Sequence, residues 1–574
     1  MIESPPVRHL GHNFWRLLKP FWCSAEAWKG WGLLALVLVL TGTLIYIQKL
    51  LNTWNNAFYN ALQDLDFAAF KHQLLIFCGL AAAYILVAVY NFYFRQMLEI
   101  VWRRWMTKAL MQEWLAKGNF YRLQLTDRRT DNPDQRIAED VSEFVSSTLK
   151  LFLDTLADIA RTITFLGILW ALSTPLRMEL AGVDLNLPQG YMVWFALVYA
   201  VLGTALTFLI GRPLVRLNFN QQRFEADFRF SLVRLRENAE SVALYRGHDE
   251  EGKLLTGRFG AVVDNFFRLM KRQKLLGFFT SGYGQIAIIF PFVVSAPSYF
   301  AKQIQLGGMM QIASAFGTVQ GSLSTLIDNF TVLARWKSVV DRLATFQMGL
   351  DHVDTLPRVQ ATEEGDSLSL HDVAVHHPAG GILYPPSSWQ LAPGQALLIQ
   401  GPSGCGKSTL LRAIAGIWPY AKGQVSFPAE GGTLFLAQRP YLPLGTLRQA
   451  ICYPAAPLDN DVILPVLEEV GLSHLIPRLD EEERNWGQIL SVGEQQRVAF
   501  ARVLLLKPAL LFMDEASSAL DEACEARLYG LLRSRLPHMV LVSVGHRSTL
   551  TPFHSHRLAW QSEGDWQLAP LPPH

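Results

Sequence analysis

Six long apolar runs fill the first 335 residues, at approximately 31–51, 74–94, 151–172, 191–211, 275–298 and 307–334. Each is near the ~20 residues that carry an α-helix across the hydrocarbon of a bilayer, so six spanning helices are expected. Ahead of them, Phe14 to Trp31 interleaves Trp15, Phe21, Trp22 and Trp28 with Arg16, Lys19 and Lys29. That mixture suits an amphipathic helix lying at the interface, or a plain anchor for the first span. The polar stretches between the runs are unequal. Residues 52–73, 173–190 and 299–306 carry one Lys or Arg each, whereas 95–148 carry nine and 212–274 carry thirteen. By the positive-inside rule the two long connections and both termini face the cytoplasm. Arg212, Arg216, Arg223 and Arg229 stand among apolar positions at helical spacing, so the long connections are expected to be extensions of the spanning helices. Breaks at 131–136 (Asn132, Pro133, Arg136) and 240–247 (Glu240, Gly247) are either ordinary turns or tips that dock on a cytoplasmic domain.

Past this region the period changes. Residues 346–366, with Pro357 and the acidic stretch from Glu363 to Asp366, read as a polar linker between a transmembrane domain (1–345) and a second domain (367–574). In the second domain, Leu368 to Val375 alternates as a half-buried strand does. Short apolar runs at 396–400, 425–427, 433–437, 509–513 and 540–544 read as further strands, separated by helical stretches. That order points to an α/β layer architecture.

The run Ala396–Gln400 leads into Gly401, Pro402, Ser403, Gly404, Cys405, Gly406, Lys407, Ser408 and Thr409. Strand, glycine-rich loop and helix in this order make a phosphate-binding loop. The glycines admit left-handed backbone, so successive N–H groups point inward, and the following helix adds its positive N-terminal end. Lys407 is placed to reach the β- and γ-phosphates and Ser408 to ligate Mg²⁺. Cys405 is either a small residue at a variable position or a thiol made acidic by that positive potential.

Composition agrees with a membrane protein: 50% of the residues are hydrophobic and 17% charged. The net charge of +2 is uneven, since residues 367–574 hold 15 basic against 18 acidic side chains. Five cysteines without paired spacing indicate neither a disulfide framework nor a zinc site. The N-terminus lacks the pattern of a secretory signal.

Five further motifs follow the phosphate loop in order. They are Gln438 at the end of a strand, Leu490 to Gln496 opening a helix, Leu510 to Asp514 with Glu515 after it, Ser518 to Asp521, and His546. The set resembles an ATP-binding cassette: Walker A, Q-loop, signature, Walker B, D-loop and H-loop. Asn132 to Ile137, Trp486 before the signature, and Gln438 to Gly445 look like the bacterial BacA/SbmA-related permeases with a fused ATPase (the YddA-like group) and the peroxisomal fatty-acyl transporters. The resemblance implies a multi-domain half-transporter: an all-α, six-helix, exporter-type transmembrane domain followed by an α/β P-loop cassette. It also implies a bacterial inner-membrane location with the ATPase domain cytoplasmic, and ATP with Mg²⁺ as cofactors. Ser408, Gln438 and Asp514 would then hold the metal, Glu515 polarise the attacking water and His546 contact the γ-phosphate. Ser491, Gly493 and Glu494 belong to the signature, which meets ATP held by the other subunit. A homodimer follows, with a lipid bilayer and an unidentified cargo as partners and no nucleic acid. Asp521 either belongs to the D-loop or only caps a helix.

One departure stands out. Such cassettes stack adenine on an aromatic about thirty residues before the lysine, where this chain has His376, His377 and Pro378; His377 or Tyr384 is the expected substitute. In the third span Asp154, Asp158 and Arg161 share one face, which lines a water-filled pathway or pairs structurally near the cytoplasmic end. Gln311, Gln320 and Asp328 in the sixth are weaker candidates. An ATP-gated channel or a nucleotide-binding membrane regulator remains the alternative function.

Overall fold

A computed structural model describes residues 10–126, 132–173, 175–180, 183–328, 330–483, 485–562 and 565–572. The described residues divide into two compact units, one within 10–112 and 132–347, the other within 113–126 and 348–572.

The first unit is helical. It comprises α1 (Leu10–Trp22), α2 (Ala27–Gln63) and α3 (Phe67–Leu115), followed after a separate short helix, α4 (Asn119–Thr126), by α5 (Val141–Leu172), α6 (Tyr191–Glu237), α7 (His248–Phe300), α8 (Leu306–Asp328) and most of α9 (Phe330–Thr355). Among the described residues, five helices are long and apolar enough to cross a membrane: those containing α2, α3, α5, α6 and α7. The sixth apolar run forms α8 and the start of α9, with residue 329 outside the described part. Helices α6 and α7, at 47 and 53 residues, far exceed a span, so the basic connections do continue the helices. A hairpin of β1 (Leu176–Leu180) and β2 (Val183–Leu187), which periodicity did not suggest, joins α5 to α6.

Lipid-facing helices gain nothing from apolar contact alone, so polar groups and close approach hold this unit together. Tyr199 on α6 and Tyr283 on α7 each donate to the other's backbone carbonyl, at 2.5 and 3.1 Å, with their rings stacked at 4.4 Å. The helices come close there because Gly203 has no Cβ, which would sit 2.2 Å from the Tyr283 ring. Asn52 on α2 trades amide bonds with Gln311 on α8: its Nδ2 donates to the Gln311 carbonyl at 3.1 Å, and the Gln311 Nε2 donates back to its Oδ1. Arg95 on α3 pairs with Asp154 on α5 at 2.7 Å.

The second unit is α/β. The strands of its two larger sheets are β3 (Gln360–Glu363), β4 (Leu368–His376), β5 (Ile382–Leu391), β6 (Ala396–Gln400), β7 (Ala421–Phe427), β8 (Thr433–Leu436), β9 (Leu510–Asp514), β10 (Val540–Val544), β11 (His556–Ser562) and β12 (Asp565–Pro570). They form a six-stranded sheet ordered β12-β11-β6-β10-β9-β8 and a four-stranded sheet ordered β3-β7-β4-β5. The linker region 346–366 thus holds the end of α9 and strand β3, which pairs with β7. Strand β9 is buried on both faces, hence its unbroken apolar run. Leu511 and Met513 enter one core with Val498, Phe500 and Leu541, while Leu510 and Phe512 enter the other with Leu397, Leu410 and Val542. All four β9 side chains have no exposed surface, and each such burial contributes roughly 1.5–3 kcal/mol.

Helix α4 belongs to this unit, not to the spans. Lys117 at φ 51° and Gly118 at φ 71° end the helix before it. The Arg122 side chain on α4 is fully buried, and its Nη2 donates to the Pro357 carbonyl at 3.0 Å. Leu125 packs on the core that holds Leu410 and Phe512.

Candidate functional site

Parallel pairing lines up the carboxyl ends of three strands, since Asp514 faces Val544 across β9 and β10, and Val544 faces Ile399 on β6. Ligands of open α/β sheets bind outside such ends. The phosphate loop leaves β6 there, turned by Gly404 at φ 86° and Gly406 at φ 105°, and enters α10 (Lys407–Ile414). Lys407 is only 6% exposed and folds back on its own loop, its Nζ donating to the Gly401 and Pro402 carbonyls at 2.8 and 2.9 Å. An ammonium held this way is positioned before any phosphate arrives.

Ser408 Oγ donates to Asp514 Oδ1 at 2.8 Å, so the two expected metal ligands already touch. Burial pushes the Asp514 carboxyl above its usual range, the Ser408 bond pulling it partly back. A hydroxyl and a carboxylate in contact, beside a phosphate site, are hard oxygen donors that fit Mg²⁺. Glu515 closes the cluster: its carboxylate accepts from Gln438 Nε2 at 3.2 Å and lies 3.4 Å from His546 Nε2. Its backbone sits at φ 50°, a region costly for a residue with a Cβ, and its N–H donates to the Val544 carbonyl at 3.2 Å. That arrangement aims the side chain back across the strand ends. A cavity of about 360 Å³ opens over these groups, lined among others by His377, Pro378, Leu383, Lys407, Ser408, Trp418 and Glu515.

The adenine expectation divides. His377 lines the cavity, and its Nδ1 accepts from the Ala379 N–H at 3.1 Å. Tyr384 does not: it is 1% exposed, accepts from Trp389 Nε1 at 3.0 Å and meets the Trp566 ring. Position 384 points into the sheet because its strand alternates, so stacking by Tyr384 is corrected to a core role. Trp418 is the aromatic on the cavity wall, placed by its indole donating to the His376 carbonyl at 3.1 Å. It stands ten residues after Ser408, just past α10, and that nearness to the phosphate loop is the signal that could have found it.

The signature serine caps α11 (Val492–Leu506). Ser491 Oγ accepts from the Glu494 N–H and Glu494 answers at the Ser491 N–H, a closed capping box. His474 lies 2.7 Å from the same carboxylate. Burial alone would raise the Glu494 carboxyl, but the Ser491 and His474 bonds outweigh it and hold it below its usual range. Among the described residues, none of 491–494 lines the nucleotide cavity. Asp521 caps α12 (Glu522–Arg535), accepting from the Cys524 N–H at 2.8 Å.

Three side chains to which the sequence alone assigns no individual role tie these segments together. Gln496, fully buried, donates to the Gln438 carbonyl at 3.2 Å and accepts from the Ala519 N–H at 2.9 Å, joining signature, Q-loop and D-loop. Arg547 donates to the Leu520 carbonyl at 2.8 Å. Arg502 is buried and donates to the Tyr441 and Ala450 carbonyls, and that burial lowers it to about 10.

Residues 17–300 match the family model described as ABC transporter transmembrane region 2, and residues 385–518 match ABC transporter. An "Uncharacterized ABC transporter ATP-binding protein" of Haemophilus influenzae is 35% identical over 97% of this chain and 93% of its own length. This chain is a member of the ABC transporter family. Within the family it is a half-transporter of the subfamily D type, membrane and ATP-binding regions fused. The inner membrane ABC transporter ATP-binding protein YddA of Escherichia coli is 34% identical over 95% of this chain and 97% of its own length. The lysosomal cobalamin transporter ABCD4 of Homo sapiens is 28% identical over 96% and 94%.

Proposed function

We propose that this ABC half-transporter works as a homodimer in a bacterial inner membrane, with six spans per copy, and that ATP hydrolysis drives translocation of a cargo. The observation that carries this reading is the Gln438–Glu515–His546 cluster over Lys407, Ser408 and Asp514, beside a cavity without signature residues of its own chain. A gate or regulator needs nucleotide binding only; a carboxylate bridged by an amide and an imidazole suits turnover. Phosphoryl transfer asks for positioning and charge neutralisation above all. Lys407 moves its donors from the loop carbonyls to the phosphates, and α10 offers its N-terminal end. Ser408, Asp514 and Gln438 would hold Mg²⁺, which neutralises developing phosphate charge. Glu515 takes the proton of the attacking water, with Gln438 and His546 fixing its two oxygens. The partner copy's signature helix completes the site.

Coupling to the spans is assigned to α4 and to the tip at 240–247. At that tip Leu244 and Tyr245 are 75% and 86% exposed, an apolar pair suited to a socket. The tip at 131–136, of which Asp131 lies outside the described residues, is ranked second because Arg136 is spent on Asp140 at 2.6 Å. Tyr245→Ala should therefore lower cargo transported per ATP while ATP binding persists. The direct test is Glu515→Gln, which should bind ATP, trap a closed dimer in size-exclusion chromatography and hydrolyse almost none. Near-normal turnover in that variant would remove Glu515 from its role.

A further inference from the structure

The helical unit contains a second cavity, about 490 Å³, among α2, α5 and α8. Its polar wall is made by Gln48, Asn55, Arg161, Ser314, Thr318 and Ser322. Polar groups at membrane depth need partners, and ionisable ones mark pathways for polar solutes. Some of this wall is satisfied internally. Thr318 Oγ1 donates to the Ser314 carbonyl at 2.9 Å, and Arg161 uses Nε on Gln48 Oε1 at 3.2 Å and Nη1 on Asp158 Oδ1 at 2.7 Å.

The rest of the wall is unsatisfied, and it is rich in donors. Ser322 is 4% exposed and its Oγ has no hydrogen-bond partner among the described residues. Arg161 Nη2, Gln48 Nε2 and the Asn55 amide also have none among the described residues. The Asp158 pairing explains how Arg161 is kept in a span, yet with Nε on Gln48 and Nη1 on Asp158 it leaves Nη2 open. That nitrogen can give a charge-assisted bond to an oxygen of a carboxylate or phosphate. An acyl chain would leave all four groups unpaired, at a cost for each.

We propose that this cavity is the cargo site, and that it takes a carboxylate or phosphate on a polar body, held by Arg161 with Gln48, Asn55 and Ser322. The proposal rests on the transport reading above and adds the chemical class of the cargo. Asp154 on α5 pairs with Arg95 on α3, outside the cavity lining, and is not needed for it.

Full-length protein in nanodiscs would be titrated with three radiolabelled probes: acetyl-trialanine with a free carboxylate, the same peptide as its C-terminal amide, and palmitate. The free acid should bind about tenfold tighter than the amide, as a charged hydrogen bond lost to an uncharged one requires. Ser322→Ala, which removes a hydroxyl that supports nothing in the fold, should weaken the acid a few-fold. A Cβ at Gly317 meets no atom within 4 Å, so Gly317→Leu should fold and fill the cavity, abolishing binding. The neutral double variant Asp158→Asn with Arg161→Gln avoids a stranded charge and should erase the preference for acid over amide. Equal binding of acid and amide, tighter binding of palmitate than of either peptide, or binding undiminished by Gly317→Leu would each overturn the proposal. ATP hydrolysis on the same samples separates the two readings. Hydrolysis without any probe binding sinks the cargo site alone, and absence of hydrolysis sinks the transport reading itself.

Discussion

The two units of this chain use apolar residues in opposite ways. In the α/β unit an apolar side chain reports the core: Leu510, Leu511, Phe512 and Met513 are all fully buried. In the helical unit it reports solvent. The most apolar stretch of α3 has none of its residues buried, and Ile85, Leu86 and Val89 are 60–61% exposed. There the informative side chains are the buried polar ones, Asn52, Gln311, Asp158 and Ser322, because lipid offers them no partner. A buried Leu therefore identifies the fold in one unit, and a buried Asn identifies contacts or cargo in the other.

Substitutions that exchange the two roles would sharpen this contrast. The largest effect belongs to Glu515→Gln, where loss of the base should cut hydrolysis by about 10²–10⁴-fold in steady-state assays. Next comes acid. His554 is 5% exposed, its Nδ1 bonds the Leu550 carbonyl, and burial lowers it to about 4. The unfolded chain takes up a proton below about pH 6.5 while the folded one does not until about 4. Stability of the α/β unit is therefore full above 6.5 and falls through that window, by on the order of 3 kcal/mol at its end. Denaturant melts at pH 7 and 4.5 would measure it, and the fall should shrink in His554→Asn. An unchanged slope in that variant would assign the acid lability elsewhere.

A smaller loss is expected from Arg122→Ala. It strips the Leu356 and Pro357 carbonyls of their donor and leaves a void, costing about 2–3 kcal/mol. Limited proteolysis near α4 should report the release; equal cleavage of both proteins would mean that α4 is held by Leu125 alone. The smallest effect is in the helical unit. Asn52→Leu removes a reciprocal amide pair, worth about 1 kcal/mol in a membrane, and should lower the melting temperature in nanodiscs by a few degrees. A stabilised variant would mean lipid-like packing suffices between α2 and α8.

Sequence carried the motifs well because chemistry fixes both residue type and spacing. Lys407, Ser408, Gln438, Asp514, Glu515 and His546 stand within one cluster. It carried less where geometry depends on neighbours. Lys117 adopts a left-handed backbone that its residue type does not announce, so the helix end before α4 was placed instead at Pro133. Tyr384 lost its expected stacking role because one strand's alternation turned it inward, and the cavity wall instead carries Trp418, which no motif in the sequence singles out. Residue type alone gives Gln496, Arg502 and Arg547 no special role, yet each donates to a backbone carbonyl in another segment, at Gln438, Tyr441 and Leu520.

The claim that most needs testing is that each ATP site is built from two copies. Two copies joined in tandem would carry Lys407→Ala and Gly493→Asp, either in different copies or both in the same one. A site shared between copies keeps one intact P-loop and signature pair only in the first arrangement, so that tandem should retain roughly half or less of wild-type hydrolysis. The second arrangement spoils both sites and should be inactive. Activity in the second and none in the first would place both motifs of each site within a single chain and contradict the composite site.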